Sequence, residues 1–163
     1  MIDADALTLL ANRFAQEPKG LPVAEGQTLI LTPHVGEAAR LLGCKSSDIQ
    51  ANRDAAARRI IAHYHAFCVL KGAHTIVAAP NGRTFTCEAG NPIMAMGGMG
   101  DLLAGVIAAR WAYLKDPFRA ACSAVWLHAA ASDALVNADP PIDPSLANTA
   151  AKISSLRVTL EKE

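Results

Sequence analysis

Three short apolar runs, Thr28–Thr32, Phe67–Leu70 and His74–Ala79, are set off by glycine and proline or by stretches with helical spacing. Continuous hydrophobicity, rather than alternation, marks strands covered on both faces. A chain that interleaves such strands with helices is constrained to the α/β class. Thr28–Thr32, bounded by Gly26 and Pro33, reads as a buried parallel strand. Pro80-Asn81-Gly82-Arg83 has hairpin chemistry, so Arg83–Cys87 is expected to return antiparallel.

Leu7, Leu10, Ala11 and Phe14 predict a helix over Asp3–Ala15, ending before Pro18-Lys19-Gly20. The helical period resumes over Gly36–Leu42, with Gly43 as C-cap. Ser46 or Ser47 is expected to cap a longer helix to about Tyr64, with Ile49, Ala56, Ile60 and Ile61 facing inward. A loop over Glu88–Gly98 leads to a helix from about Asp101 to Tyr113, and Pro117 opens another to about Asn137. Asp139–Pro144 breaks structure before one terminal helix. No repeat or low-complexity linker divides the 163 residues, so residues 1–163 are expected to form a single domain. The pattern predicts a three-layer α/β domain, and its parallel strands are few enough that it could be part of a larger sheet.

Lys plus Arg equals Asp plus Glu, 15 each, which points away from nucleic acid and from an anionic membrane surface. Hydrophobic residues make up 52% but aromatics only 5%, because alanine supplies much of the apolar count and lets helices pack closely. Ala120–Val136 is interrupted by Ser123, His128, Ser132 and Asp133, so it does not read as a membrane span. Cys44, Cys68, Cys87 and Cys122 are widely spaced and read as buried thiols in a reducing compartment. The opening Met-Ile-Asp-Ala-Asp-Ala-Leu lacks the pattern of a signal peptide, and a cytoplasmic location is expected.

Chemistry concentrates in three loops. Gly97-Gly98-Met99-Gly100-Asp101 opens an apolar helix. Glycines allow close backbone approach, and a helix start aims unpaired N–H groups at an anion. Asp101 would stand there as a base beside a bound phosphate. The same spacing equally suits a glycine-rich loop with an ordinary Asp cap. Pro33-His34-Val35-Gly36-Glu37 follows the first strand, where ligands gather in open α/β sheets. His34 is placed either to bond a polar substrate or to serve only the local structure. Glu37 reads first as a helix-start carboxylate and second as a ligand to a hydrated metal ion. Lys71-Gly72-Ala73-His74-Thr75 follows the second strand, where a lysine either pairs with phosphate or is simply solvated. His63 and His65 suit a helix C-terminus rather than a metal, and His128 is expected to be packed or pocket-lining. Anion-binding helix start, lysine, histidine and two carboxylates together have the make-up of a phosphoryl-transfer site.

Four blocks resemble a known family. Leu31–Gly43 resembles the T-P-H-P-G-E-x-x-R-L-L block of ADP-dependent NAD(P)H-hydrate dehydratases. Val69–Thr75 resembles their V-L-K-G-x-x-T block, and Asn91–Gly105 their N-x-x-M-A-x-G-G-M-G-D-x-L-x-G block. Asp3–Leu7 is similar to their D-A-D-A-L segment. The resemblance covers nearly the whole chain. It implies a ribokinase-like fold and ADP-dependent, or ATP-dependent, removal of water from S-NADHX or S-NADPHX. The implied chemistry is phosphorylation of the ring hydroxyl followed by loss of phosphate. Asp101 would activate the hydroxyl, with Gly98 and Gly100 in the loop that stabilises the phosphoryl group. Lys71, Gly72, Ala73, His74, Thr75 and Gly100 would contact the nucleotide, and His34 the hydrated cofactor. Magnesium is expected with the nucleotide, with Glu37 its candidate ligand.

Val35 departs from a usual proline, His74 from a usual glycine, Met96 from Thr or Ser, and Ile93 from a small residue. Each could weaken nucleotide binding. The chain resembles the C-terminal portion of the family domain, so the sandwich is expected to be incomplete on its N-terminal side. A homo-oligomer, or an association that completes that side, is the expected assembly. A ribokinase-like small-molecule kinase and an inactive nucleotide-binding fragment are the alternatives.

Overall fold

The computed structural model describes residues 1–16 and 26–160; the helix stop at Pro18-Lys19-Gly20 lies outside the described residues. The chain divides into two compact units, Met1–Thr86 and Cys87–Glu163.

The first unit is α/β. Helix α1 (Asp5–Gln16) buries Leu7, Leu10 and Ala11, the spacing that predicted it. Strand β1 (Ile30–Leu31) runs parallel to β2 (Phe67–Leu70), with Ile30 opposite Phe67 and Leu31 opposite Cys68. Strand β3 (Ile76–Ala78) lies antiparallel to β2, and β4 (Thr84–Thr86) antiparallel to β3 across the expected Asn81-Gly82 hairpin. The sheet order is therefore β1-β2-β3-β4. On the other side of β1, Ile2 makes a single parallel bridge to Leu31.

Helix α2 (Val35–Leu42) ends at Gly43, whose φ of +60° fits the expected left-handed C-cap. The expected long helix from Ser46 is two helices, α3 (Ser46–Ala51) and α4 (Arg53–Tyr64). Ser46 and Ser47 are not the cap. Lys45 holds that position, and its N–H donates to Asp48 Oδ2 at 3.0 Å. Asn52, at φ −152° and ψ 84°, breaks the helix and accepts from the Ala55 N–H at 2.9 Å, starting a new one. Its amide side chain competes with the helical ladder, which apolar periodicity cannot register. The third strand is also shorter than His74–Ala79, because His74 at φ +54° belongs to the turn that precedes it. The core joins α1, α2, α4 and the sheet through Leu7, Leu31, Leu41, Ile60, Tyr64 and Leu70. Within it the Tyr64 hydroxyl donates to the Leu41 carbonyl at 2.9 Å, and the Phe14 ring packs tilted against the Tyr64 ring with centroids 4.8 Å apart.

The second unit is helical. A 3-10 turn over Pro92–Met94 precedes α5 (Met99–Leu114), α6 (Pro117–Val136) and α7 (Leu146–Leu160). Helix α6 packs against both others. Its buried alanines at 120, 121, 124, 129 and 131 let neighbours approach closely. Pro117 takes the first helical position, and Asp116 caps the helix by accepting from the Phe118 and Arg119 N–H groups. Leu127, Ala131 and Ile153 form a cluster with Leu102, Val106 and Leu156 packed on it. Among the described residues, no helix is long and apolar enough to cross a membrane. Cys68 and Cys87 are buried as expected, whereas Cys44 and Cys122 are only half-buried.

His128 is buried within α6, and burial lowers its pKa from 6.5 to about 4. Unfolding returns the ring to water, so the unfolded chain takes up the proton first as pH falls. Stability from the neutral ring is full above pH 6.5 and declines toward pH 4, by up to about 3 kcal/mol. Urea unfolding of wild type and His128→Leu at pH 7 and pH 4.5 measures this. The gap between the two pH values should narrow in the variant, and an equal gap would refute the assignment.

Candidate functional site

In the first unit, two strand ends lie side by side. The Lys71 N–H donates to the Pro33 carbonyl at 2.8 Å, which joins the loop after β2 to the loop after β1. His34 is the N-cap of α2. Its Nδ1 accepts from the N–H groups of Gly36 at 2.9 Å and Glu37 at 3.2 Å, so this nitrogen carries no proton. Glu37 completes a capping box, its Oε2 accepting from the His34 N–H at 2.7 Å. Gly36 is required by the same geometry, since a Cβ there would lie 2.9 Å from His34 Cε1. The H-x-G-E spacing thus builds one closed turn, and Val35 takes the first helical position where the family pattern has proline. Of the two readings of Glu37, the structure displays the helix-start carboxylate.

Lys71 is neither solvated nor free. Its ammonium lies 2.8 Å from Asp3 Oδ1 and 3.9 Å from Glu37 Oε2, with all three side chains mostly buried. Asp3 was not among the residues singled out from the sequence as functional. It lies 68 positions away, and only the D-A-D-A-L block drew notice to it.

The Lys71–Thr75 loop is closed by Thr75, whose Oγ1 donates to the Gly72 carbonyl at 2.9 Å. Gly72, at φ +143°, is backed by Arg53; a Cβ there would stand 3.0 Å from Arg53 Nη1. Arg53 Nη2 donates to the Leu70 carbonyl at 3.0 Å, bracing the strand end from behind. Burial lowers the Arg53 pKa. Local spacing does not mark Arg53 either, since its contact crosses 17 residues. Ala73 and His74 are exposed. His74 holds a left-handed φ of +54°, a physical reason for the glycine that the family pattern carries there. His63 packs 5.7 Å from Phe14, and His65 is the left-handed C-cap of α4.

In the second unit, the loop over residues 88–98 is held at its base. Asp133 Oδ2 accepts from the Gly90 N–H at 2.7 Å, and Asp133 Oδ1 from Asn91 Nδ2 at 2.8 Å. Helix α5 begins at Met99 rather than Asp101, with Gly98 as N-cap at φ +86° and no side chain capping it. The Leu102 N–H makes the first α-helical bond, to Gly98, and the Met99 N–H reaches Met96 O at 3.4 Å. The Gly100 and Asp101 N–H groups therefore stand at the open helix start, where a helix has no carbonyls to offer them. Asp101 is third in the helix, not its cap. It is exposed and makes no side-chain bond among the described residues. A cleft of about 410 Å³ runs from Asp101 past Gly105 and Ala109 to Ile153 on α7.

Among the described residues, no group of three or more His, Cys, Asp or Glu could hold a metal ion. The arrangement offers an anion-seeking helix start next to an unengaged carboxylate, the elements of a base-assisted phosphoryl transfer.

A sequence profile described as NAD(P)H-hydrate dehydratase matches residues 1–154. The chain is 43% identical over 136 residues to the ADP-dependent (S)-NAD(P)H-hydrate dehydratase of Neisseria meningitidis, covering 83% of this chain and 45% of that protein. It is 30% identical to the Bacillus subtilis ADP/ATP-dependent NAD(P)H-hydrate dehydratase co-crystallized with ATP and Mg2+, with a TM-score of 0.77 over 94% of this chain and 54% of that one. A ribokinase-like superfamily protein from Enterococcus faecalis is 31% identical, with a TM-score of 0.72 over 96% of this chain and 51% of that one. The chain thus spans about half the length of these relatives, and its fold is ribokinase-like.

The His34 cap can be measured without any ligand. His34→Ala should lower stability by about 1 kcal/mol through loss of the cap, while His34→Asn keeps an acceptor at the same place and should lose less. Equal unfolding midpoints for all three proteins would show that the ring contributes nothing to the helix start.

Proposed function

This chain belongs to the NAD(P)H-hydrate dehydratase family, and from that premise we propose that it performs, or carries the phosphoryl-transfer half of, ADP-dependent dehydration of S-NADHX or S-NADPHX. The observation that carries the proposal is the open start of α5. An exposed, unengaged Asp101 stands there beside unpaired backbone N–H groups. Asp101 takes the proton of the ring hydroxyl, and the hydroxyl oxygen attacks the terminal phosphoryl group of ADP, releasing AMP. The N–H groups of the Gly98–Asp101 turn stabilise the charge on the phosphoryl oxygens. The ring nitrogen lone pair then expels phosphate to leave an iminium, and the neighbouring ring carbon loses a proton to phosphate or water, which restores the ring double bond of NADH or NADPH.

In this reading Lys71, Gly72, Ala73, His74 and Thr75 of the first unit would contact the nucleotide, as would Gly100 of the second, and His34 would meet the hydrated cofactor. Lys71 would exchange part of its Asp3 and Glu37 partnership for phosphate. The residues fit magnesium as a hydrated companion of the phosphates rather than as a caged ion, because Glu37 is already bonded to the His34 N–H. Bound there, the ion would neutralise phosphate charge. Residues 1–163 form one piece of a single ribokinase-like domain, a reading supported by a family match that runs through both units. The sheet edge at β1, engaged only by the Ile2 bridge among the described residues, is where an associating segment or a second copy would add strands. The unpaired buried thiols Cys68 and Cys87 suit a reducing cytoplasm.

Incubation with ADP and S-NADHX, followed at the dihydronicotinamide absorbance band, tests the proposal. Regeneration of NADH should fall by about 10²-fold or more in Asp101→Asn. Gly100→Ala should impair turnover more than folding, since its methyl group intrudes where phosphate approaches. A folded wild-type chain that binds ADP yet regenerates no NADH at high concentration would leave a nucleotide-binding remnant as the answer.

A further inference from the structure

Asp133 sits where a helix disfavours it. It lies in the last turn of α6, where unpaired carbonyls concentrate negative charge, and the turn holds no basic residue. Its two carboxylate oxygens are both taken by one segment, Gly90 N–H at 2.7 Å and Asn91 Nδ2 at 2.8 Å. Ser132, buried beside it, accepts a second bond from Asn91 Nδ2 at 3.0 Å. Asn91 in turn caps the 3-10 turn, its Oδ1 accepting from the Ile93 N–H at 3.2 Å. Gly90 adopts φ +113°, and a Cβ there would stand 3.2 Å from Met94 Sδ. At the far end of the same strap Gly98 lies close against Leu146, where a Cβ would come within 2.7 Å of Leu146 Cδ1. From the Asp133 anchor only a few residues separate Asn91 from the open start of α5.

We propose that Asp133 is a positioning residue for phosphoryl transfer: through Gly90 and Asn91 it pins the strap that sets the Gly97–Gly100 backbone against the reacting phosphoryl group. Asp133 touches neither substrate nor nucleotide, so its effect reaches the reaction through the placement of the Gly100 and Asp101 N–H groups. The inference rests on the reading of the α5 start as the phosphoryl site. A misplacement of such donors by a fraction of the chain's width is felt in the transition state more than in the ground state.

Two measurements on the full chain test it. Asp133→Asn replaces one acceptor by a donor that faces the strap's own donors. Hydrogen exchange without ligands should then speed up in the peptide covering residues 90–101 and stay unchanged in α7. With ADP and S-NADHX, kcat should fall by about tenfold to a hundredfold, while KM for ADP changes less than about threefold. The exchanged pair Asn91→Asp with Asp133→Asn restores a donor facing an acceptor and should recover most of kcat, which a general loss of stability would not allow. Unchanged exchange, unchanged kcat, a parallel rise in KM, or no recovery in the exchanged pair would overturn the inference while wild-type turnover leaves the function standing. A wild-type chain without turnover overturns the functional reading itself, and with it this role, even where the exchange measurement shows the strap released.

Discussion

One lysine ammonium, held between two carboxylates, organises the first unit. Lys71 meets Asp3 at 2.8 Å and Glu37 at 3.9 Å, and these residues come from the segment before α1, the loop after β2 and the first turn of α2. Removing such charges from water is costly, so the cluster persists only where the partners are close and further bonds complete it. Those bonds exist. Glu37 accepts the His34 N–H, and the Lys71 N–H donates to Pro33. The result is a rigid floor formed by two strand ends, with His34 and the Gly72 loop mounted on it.

The charge balance of that floor bears on function. One cation shared by two anions has no positive charge to spare for an incoming polyphosphate, an effect that water and salt moderate. A nucleotide reaching Lys71 would therefore need compensating cation or donor groups. Magnesium carried on the phosphates meets that need in the proposed reaction. In the proposed reaction the second unit would meet a phosphate without a cationic side chain. At the start of α5 the favourable field comes from backbone N–H groups, which suits a site that must also hold the Asp101 carboxylate.

Much was legible before any coordinates. Apolar runs gave away β2 and the β3–β4 hairpin, Gly43 the end of α2, and Pro117 the start of α6. The H-x-G-E spacing marked a turn whose immediate physical role is a capping box built on an imidazole. The break at Asn52 and the cap at Lys45 were not legible, because a side chain that competes for backbone donors leaves hydrophobic periodicity untouched. Likewise the spacing suits Asp101 as a helix cap, yet Gly98 is the cap and Asp101 takes the third helical position.

By itself the sequence determined the α/β class, the three glycine-bearing loops and the family, because local spacing and short motifs encode them directly. Tertiary structure alone decided that Lys71 is shared by Asp3 and Glu37, that Arg53 backs the Gly72 loop, and that Asp133 secures the strap before α5. These pairings join residues 17 to 68 positions apart. A carboxylate's partner is set by where packed elements place it, and neither composition nor periodicity carries that distance. The glycine-rich loop was readable from its letters, while what holds it in place became readable only once α6 had folded beside it.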